Sequence, residues 1–98
     1  MRSCVVGMDG LIHEFTMLAR DADGHVYRAR ALGTRRDDGT WVGWIEFRPH
    51  GGGVVRRSPQ ETTQPSRGAL LYWALGLDEI YLEGALQRAI RTSPVGSA

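Results

Sequence analysis

Between residues 14 and 57 apolar and polar side chains alternate, which is the period of β-strands with one buried face. Two short segments with the same turn chemistry interrupt this pattern, Asp21-Ala22-Asp23-Gly24 and Arg36-Asp37-Asp38-Gly39. A type I turn followed by a glycine in the left-handed region closes a three-residue hairpin loop. The pattern therefore predicts two consecutive hairpins, in which the residues that flank each loop pair with each other.

Counting outward from the two loops places one apolar set on a single face of the predicted sheet, because directly opposite residues share a face. In this register Ala31 lies between Phe15 and Ile45, and Arg30 lies opposite Glu46. A slip of one residue would scatter the apolar side chains over both faces, so the register is well specified. The predicted core face consists of Phe15, Met17, Ala19, Tyr27, Ala29, Ala31, Ile45 and Phe47.

A fourth strand is predicted after the glycine-rich loop at 49–53. If Arg48 pairs with Val54, then Val55 joins Phe47 in the core, although three consecutive glycines permit several closures of this loop. Residues 58–64 are polar and contain a proline, which indicates an exposed connector.

From Pro65 onward the hydrophobic period changes from two to about 3.6, which predicts helices. Ser66 is predicted to cap a first helix that ends at Gly76, and Asp78 to cap a second helix. The apolar stripe of the second helix is Leu82, Ala85, Leu86, Ala89 and Ile90. Because the apolar sheet face must be covered, the predicted fold is α+β, a four-stranded antiparallel β-meander with two C-terminal helices packed on one face.

The chain has 98 residues, which is the size of one domain with a modest core. We predict a partly ordered N-terminal extension at 1–13, a single α+β domain at 14–91 and a flexible tail at 92–98, and the sequence leaves open whether residues 1–13 form a strand. The single cysteine, Cys4, excludes an internal disulfide and a multi-cysteine metal site. No apolar run reaches the roughly 18 residues of a membrane span, and no signal-peptide pattern is present, which predicts a cytoplasmic protein.

All twelve basic side chains are arginine, and the net charge is only +1. The absence of lysine is typical of a GC-rich bacterial genome, unless the arginines cluster on one surface. In the predicted register they do cluster, around one tryptophan, on the sheet face that points away from the helices. This outward set is Leu18, Arg28, Arg30, Leu32, Val42, Trp44, Glu46, Arg48 and Arg56.

Three interpretations of this outward face are open. Trp44 can simply pack on Leu32 and the arginine stems. Tryptophan and arginine are also enriched at protein interfaces, so the face can bind a protein partner or a second copy of the chain. As a third alternative, the arginines neutralise phosphates while Trp44 stacks on a base, although basic nucleic-acid-binding domains usually carry a larger positive charge.

We predict a small non-enzymatic binding or adaptor protein that acts through this face or as a homodimer. A nucleic-acid-binding module is the alternative, and a small enzyme is a remote one. The partner-binding residues of the hypothesis are Leu18, Arg28, Arg30, Leu32, Trp44, Glu46, Arg48 and Arg56.

Candidate residues for other chemistry are few. The three histidines, His13, His25 and His50, lack metal-ligand spacing, and we place His25 at the opposite end of the sheet from the other two. The glycines after His50 lack the Lys-Ser/Thr ending of a phosphate-binding loop. No Ser/His/Asp or Cys/His arrangement has a known local signature. We therefore predict no catalytic residue, no metal and no cofactor.

Overall fold

The computed structural model describes residues 10–92. Three long antiparallel strands form a meander: β1 (Leu11–Arg20), β2 (Val26–Arg35) and β3 (Trp41–Pro49). Two short strands pair with the free side of β3: β4 (Arg56–Arg57) and β5 (Thr62–Gln64). Two helices follow and share one core with the sheet: α1 (Arg67–Leu75) and α2 (Glu79–Thr92). The predicted α+β fold is confirmed.

The predicted N-terminal extension and C-terminal tail fall largely outside the described residues. Of the extension, residues 1–9 are not described, whereas β1 already begins at Leu11. Of the tail, residues 93–98 are not described, and Thr92 is the last residue of α2. No helix within residues 10–92 is long and apolar enough to cross a membrane.

Both hairpin loops have the predicted geometry. The residue before each loop donates its N–H to the carbonyl of the residue after it, at 3.0 Å for Asp21 and 2.7 Å for Arg36. Gly24 and Gly39 have φ angles of 87° and 90°, in the left-handed region that favours glycine. The pairing of β2 with β3 follows the predicted register over all nine residue pairs.

The predicted pairing of β1 is correct only near its loop. Ala19 pairs with Tyr27 as predicted, but β1 has two irregularities farther along, and Ala31 pairs with His13 instead of Phe15. The irregularity nearer the loop sets three residues of β1 against one of β2. Because the number of extra residues is even, the alternation of faces is kept and Phe15 is still buried in the core.

The predicted register of the fourth strand is wrong by one residue. Phe47 pairs with Arg56 instead of Val55, and Val55 is exposed. Since neighbouring residues of a strand point to opposite faces, Arg56 lies on the helix side of the sheet and Arg57 on the other side. The glycine-rich loop at 49–53 accommodates this register with two positive φ angles.

Residues 58–64 form part of the sheet edge rather than an exposed connector. Ser58 is buried, and its N–H donates to the carbonyl of Ile45 at 2.9 Å. The Ser58 hydroxyl accepts the N–H of Ile45 at 3.0 Å and donates to the carbonyl of Pro59 at 2.9 Å. The Ser58 hydroxyl thus accepts the Ile45 N–H in place of a backbone carbonyl. Pro59 has no N–H to donate to the ladder, and the sheet edge continues beyond it as β5.

Both predicted helix caps are present. The Ser66 hydroxyl accepts the N–H of Ala69 at 3.1 Å, and the Asp78 carboxylate accepts the N–H of Tyr81 at 2.8 Å. Four residues of the predicted stripe of α2 are fully buried: Leu82, Ala85, Leu86 and Ala89.

Helix α1 makes its closest approach to the sheet at Leu70. A Cβ atom on Gly33 or on Gly43 would lie 2.4 Å or 2.6 Å from a methyl carbon of Leu70. The two glycines pair across β2 and β3. They therefore leave the space into which Leu70 packs.

Candidate interaction surface on the outer face of the sheet

We call the sheet face that points away from the helices the outer face. Its exposed arginines and apolar side chains come from four strands. The register places seven of the eight predicted partner-binding residues on it: Leu18, Arg28, Arg30, Leu32, Trp44, Glu46 and Arg48. Arg56 is not on the outer face, because the one-residue shift of β4 puts Arg57 there instead. Val42 lies on this face between Thr34 and Thr63, but it is buried.

Positive charge is concentrated on the outer face. Its strands carry five arginines and two glutamates, a net charge of +3, whereas the whole chain has +1. A local excess of this kind attracts acidic partners even when the molecule as a whole is nearly neutral. The charged residues are Arg20, Arg28, Arg30, Arg48, Arg57, Glu14 and Glu46.

Glu46 lies at the centre of the outer face between two arginines. One of its oxygens, Oε1, accepts hydrogen bonds from Arg30 Nε and Arg48 Nε, each at 3.1 Å. The predicted cross-strand pair of Arg30 and Glu46 is thereby confirmed. Arg28 lies directly opposite Arg48, as predicted, so like charges remain side by side at this end of β2 and β3.

Trp44 is half-buried beside this charged group. The guanidinium carbon of Arg57 lies 4.0 Å from the centre of its ring, which is cation–π geometry. The Trp44 Nε1 atom is buried and has no hydrogen-bond partner within the described part of the chain. Two leucines of β1 leave apolar surface open nearby, Leu11 with 41% and Leu18 with 37% of their surface exposed. The face therefore combines an aromatic anchor, open leucines and a rim of arginines.

Two histidines lie together at one end of the sheet, contrary to the prediction. The N–H of His50 donates to the carbonyl of Val26 at 2.8 Å, which brings His50 next to His25. The register of β2 and β3, which was predicted correctly, already places position 50 opposite position 26, so the signal was present in the sequence. His13 lies elsewhere, with its ring edge-to-face on Phe15 at 4.9 Å.

The first hairpin loop is closed by a buried carboxylate. The Asp21 Oδ1 atom accepts the N–H groups of Asp23 and His25, each at 2.9 Å. The Oδ2 atom lies 3.2 Å from both His25 Nδ1 and the Tyr27 hydroxyl. Burial would raise the pKa of Asp21, but these hydrogen bonds lower it below its ordinary value. Potential ligand atoms of Asp21, Asp23 and His25 lie within 4.8 Å of one another, yet both Asp21 oxygens are already occupied by protein donors.

A second buried carboxylate, Glu61, joins the sheet edge to α2. It accepts hydrogen bonds from the Tyr81 hydroxyl at 2.5 Å and from Arg88 Nη2 and Nε at 2.7 Å and 3.1 Å. Burial would raise the pKa of Glu61, but the hydrogen bonds from Arg88 and Tyr81 lower it below its ordinary value. Burial and the hydrogen bond to Glu61 raise the pKa of Tyr81 to about 12. Every oxygen of this cluster is engaged, which indicates a structural clamp.

Comparison of the chain with protein-family models, with curated proteins and with solved structures found no match.

Proposed function

We propose that this chain is a small, non-enzymatic cytoplasmic protein whose outer face binds an acidic protein partner. The observation that carries the proposal is that five arginines share with Trp44 the face opposite both helices, one of them, Arg57, lying over its ring. Half-buried aromatic side chains and arginines are the residue types that supply most of the binding energy at protein interfaces. The open surfaces of Leu11 and Leu18 provide apolar area for the same partner.

The charge of the outer face favours a different protein over a second copy of this chain. In a twofold dimer the same patch occurs on both subunits, so the arginines of one copy would meet the arginines of the other. Like charges brought together across an interface cost several kcal/mol, whereas acidic side chains would pair with them. A homodimer through this face is accordingly the competing outcome of the experiment below.

A nucleic-acid partner is less well supported than an acidic protein. Base stacking needs an open aromatic ring, and Arg57 covers one side of the Trp44 ring.

The test compares three forms of the full chain as bait in affinity capture: wild type, Arg28→Glu/Arg48→Glu, and Arg91→Glu as a control on α2. Captured proteins are then purified, and their affinity is measured by calorimetry at low and high salt. We expect one acidic protein that binds wild type and the control, and that binds the double variant at least about tenfold more weakly. Its affinity should fall as salt rises, because surface charges are screened.

Three results would contradict the proposal. The first is equal loss of binding by the Arg91→Glu control, which would mean that the outer face is not the contact surface. The second is a wild-type dimer in light scattering that the double variant dissociates, which would identify the face as a self-association surface. The third is tight binding of single-stranded RNA or DNA, measured by fluorescence anisotropy, that the double variant abolishes.

A further inference from the structure

A cleft of about 630 Å³ opens at the end of the sheet where the first hairpin loop meets the glycine-rich loop at 49–53. This volume lies within the range of small-molecule sites, roughly 300–1,000 Å³. The walls come from both loops, from β4 and from the end of α2, and they combine apolar and polar side chains. Its lining includes Val26, Val54, Ile90, His25, His50 and Arg56.

Arg56 contributes a buried donor without an acceptor to this cleft. Its Nε atom is buried and has no hydrogen-bond partner among residues 10–92. Buried donors in folded proteins are almost always paired with protein, water or a bound group. A guanidinium group prefers carboxylate or phosphate oxygens, which it can bind through two parallel hydrogen bonds.

Asp21, the buried acid of the cleft, is not the missing acceptor for Arg56. Only 9% of the Asp21 side chain is exposed, and its two oxygens already face four donors from Asp23, His25 and Tyr27. The negative charge of Asp21 is therefore matched by the hairpin itself. Asp23 also lines the cleft but is exposed, and Arg56 is the arginine of the wall.

The glycine-rich loop gives a ligand close access to this wall. Gly51 and Gly52 have open space where a Cβ atom would be. Val54, which follows this loop and lines the same cleft, has 48% of its surface exposed and leaves apolar area for a ligand to cover.

We propose that this cleft binds a small organic anion, whose carboxylate or phosphate group is held by Arg56 and whose apolar part covers Val54 and Ile90. His25 and His50 line the same cleft, and their ring N–H groups would be additional donors to the anion. The site lies on the helix side of the sheet, so it is independent of the outer face and of the function proposed for that face.

The Nε–H group of arginine gives its own signal in proton–nitrogen correlation NMR spectra, so Arg56 can be observed directly. The probes are inorganic phosphate, phenyl phosphate and benzoate, added to the full chain at constant ionic strength. We expect the Arg56 signal to shift and saturate with phenyl phosphate or benzoate, at an affinity about tenfold above that of inorganic phosphate, because the ring buries apolar area. The stronger of the two aromatic probes identifies the anionic group.

A matched pair of variants isolates the site, because adjacent arginines of β4 point to opposite faces. Arg56→Gln should abolish saturable binding, whereas Arg57→Gln should leave it unchanged. If Arg56→Gln fails to fold, Val54→Asp on the exposed loop provides the second test, and its added negative charge should weaken binding at least about tenfold. The proposal is overturned if no probe shifts the Arg56 signal up to about 10 mM, if the shift does not saturate, or if Arg57→Gln removes binding as completely as Arg56→Gln.

Discussion

Replacing Glu61 with glutamine would remove one charge from the most buried ion pair of the described fold while keeping the shape of the side chain. Only 4% of the Glu61 side chain is exposed, whereas Arg88 keeps 38% of its side chain exposed. Glutamine retains one acceptor oxygen, but its amide group would point hydrogen-bond donors at the Arg88 guanidinium or the Tyr81 hydroxyl. The variant therefore loses the charge-assisted bonds and brings donors against donors.

The size of the effect follows from the different exposure of the two partners. Removing one partner of a fully buried ion pair costs about 3–5 kcal/mol, because the other charge is left without compensation. Arg88 is more than a third exposed, so water can solvate it after Glu61 has lost its charge, and the loss falls at or below the lower end of that range. We expect a loss of about 2–3 kcal/mol in the free energy of unfolding, which for a domain of this size lowers Tm by about 10–20 °C.

Urea denaturation at pH 7 measures this loss, in a double-mutant cycle with Arg88→Gln. The coupling energy between the two substitutions should be about 1–2 kcal/mol, since both remove the same contact. Glu14→Gln, at an exposed position of β1, is the matched control and should change the free energy of unfolding by less than about 0.5 kcal/mol.

Wild type and Glu61→Gln can also be compared as a function of pH. The folded pKa of Glu61 lies below its ordinary value, so its contribution to stability is fully present above the unfolded pKa of about 4.3 and is lost as pH falls through the folded pKa. The difference between wild type and Glu61→Gln should accordingly be constant near neutral pH and shrink below about pH 4. The stabilising role of Glu61 would be refuted if the variant unfolds with a free energy within about 0.5 kcal/mol of wild type at pH 7. It would also be refuted if the difference in unfolding free energy stays the same in acid.

Two further predictions test the packing of Leu70 against the sheet and the contribution of Tyr81 to stability at alkaline pH. Gly33→Ala places a Cβ atom 2.4 Å from a Leu70 methyl carbon and 2.9 Å from a backbone carbonyl oxygen, so it should destabilise the fold by about 1–3 kcal/mol in thermal unfolding. Gly51→Ala, which meets nothing within 4 Å, is its control, and equal losses in the two variants would contradict the packing argument. Tyr81→Phe should cost about 1–2 kcal/mol at pH 8, because it removes the hydrogen bond to Glu61. Since the folded pKa of Tyr81 is raised to about 12, this contribution is present below the unfolded pKa of about 10 and disappears as pH rises toward 12; a difference between the two proteins that persists at pH 12 would contradict it.

Features set by neighbouring residues could be predicted from the sequence. Each hairpin loop is specified within a few residues by an aspartate and a glycine that accepts a positive φ angle. The length of the second loop then determines the register of β2 and β3, and with it most of the outer face. The caps by Ser66 and Asp78 are likewise local signals. These predictions succeeded because little tertiary contact is needed to specify them.

Features set by contacts between distant residues could not be predicted in the same way. The irregularity of β1 nearer the hairpin loop adds an even number of residues, so it leaves no trace in the alternation of apolar and polar positions. The position of β4 depends on how the Ser58 hydroxyl bonds to Ile45, which lies 13 residues away. The Glu61 clamp joins residues 27 positions apart, and neither Glu61 nor Arg88 belongs to a local motif.

The one-residue error in β4 has the largest consequence for function, because it decides which surface each of two adjacent arginines serves. With Val55 opposite Phe47, Arg56 would have joined the outer face and the cleft would have had no arginine at its wall. With Arg56 opposite Phe47, the outer face instead receives Arg57, which lies over Trp44, and the cleft receives an arginine whose Nε atom is buried. The glycine-rich loop that made this register ambiguous in the sequence is also the loop that lines the cleft. A single pairing therefore separates the two proposed sites, and substitutions at positions 56 and 57 should affect them one at a time.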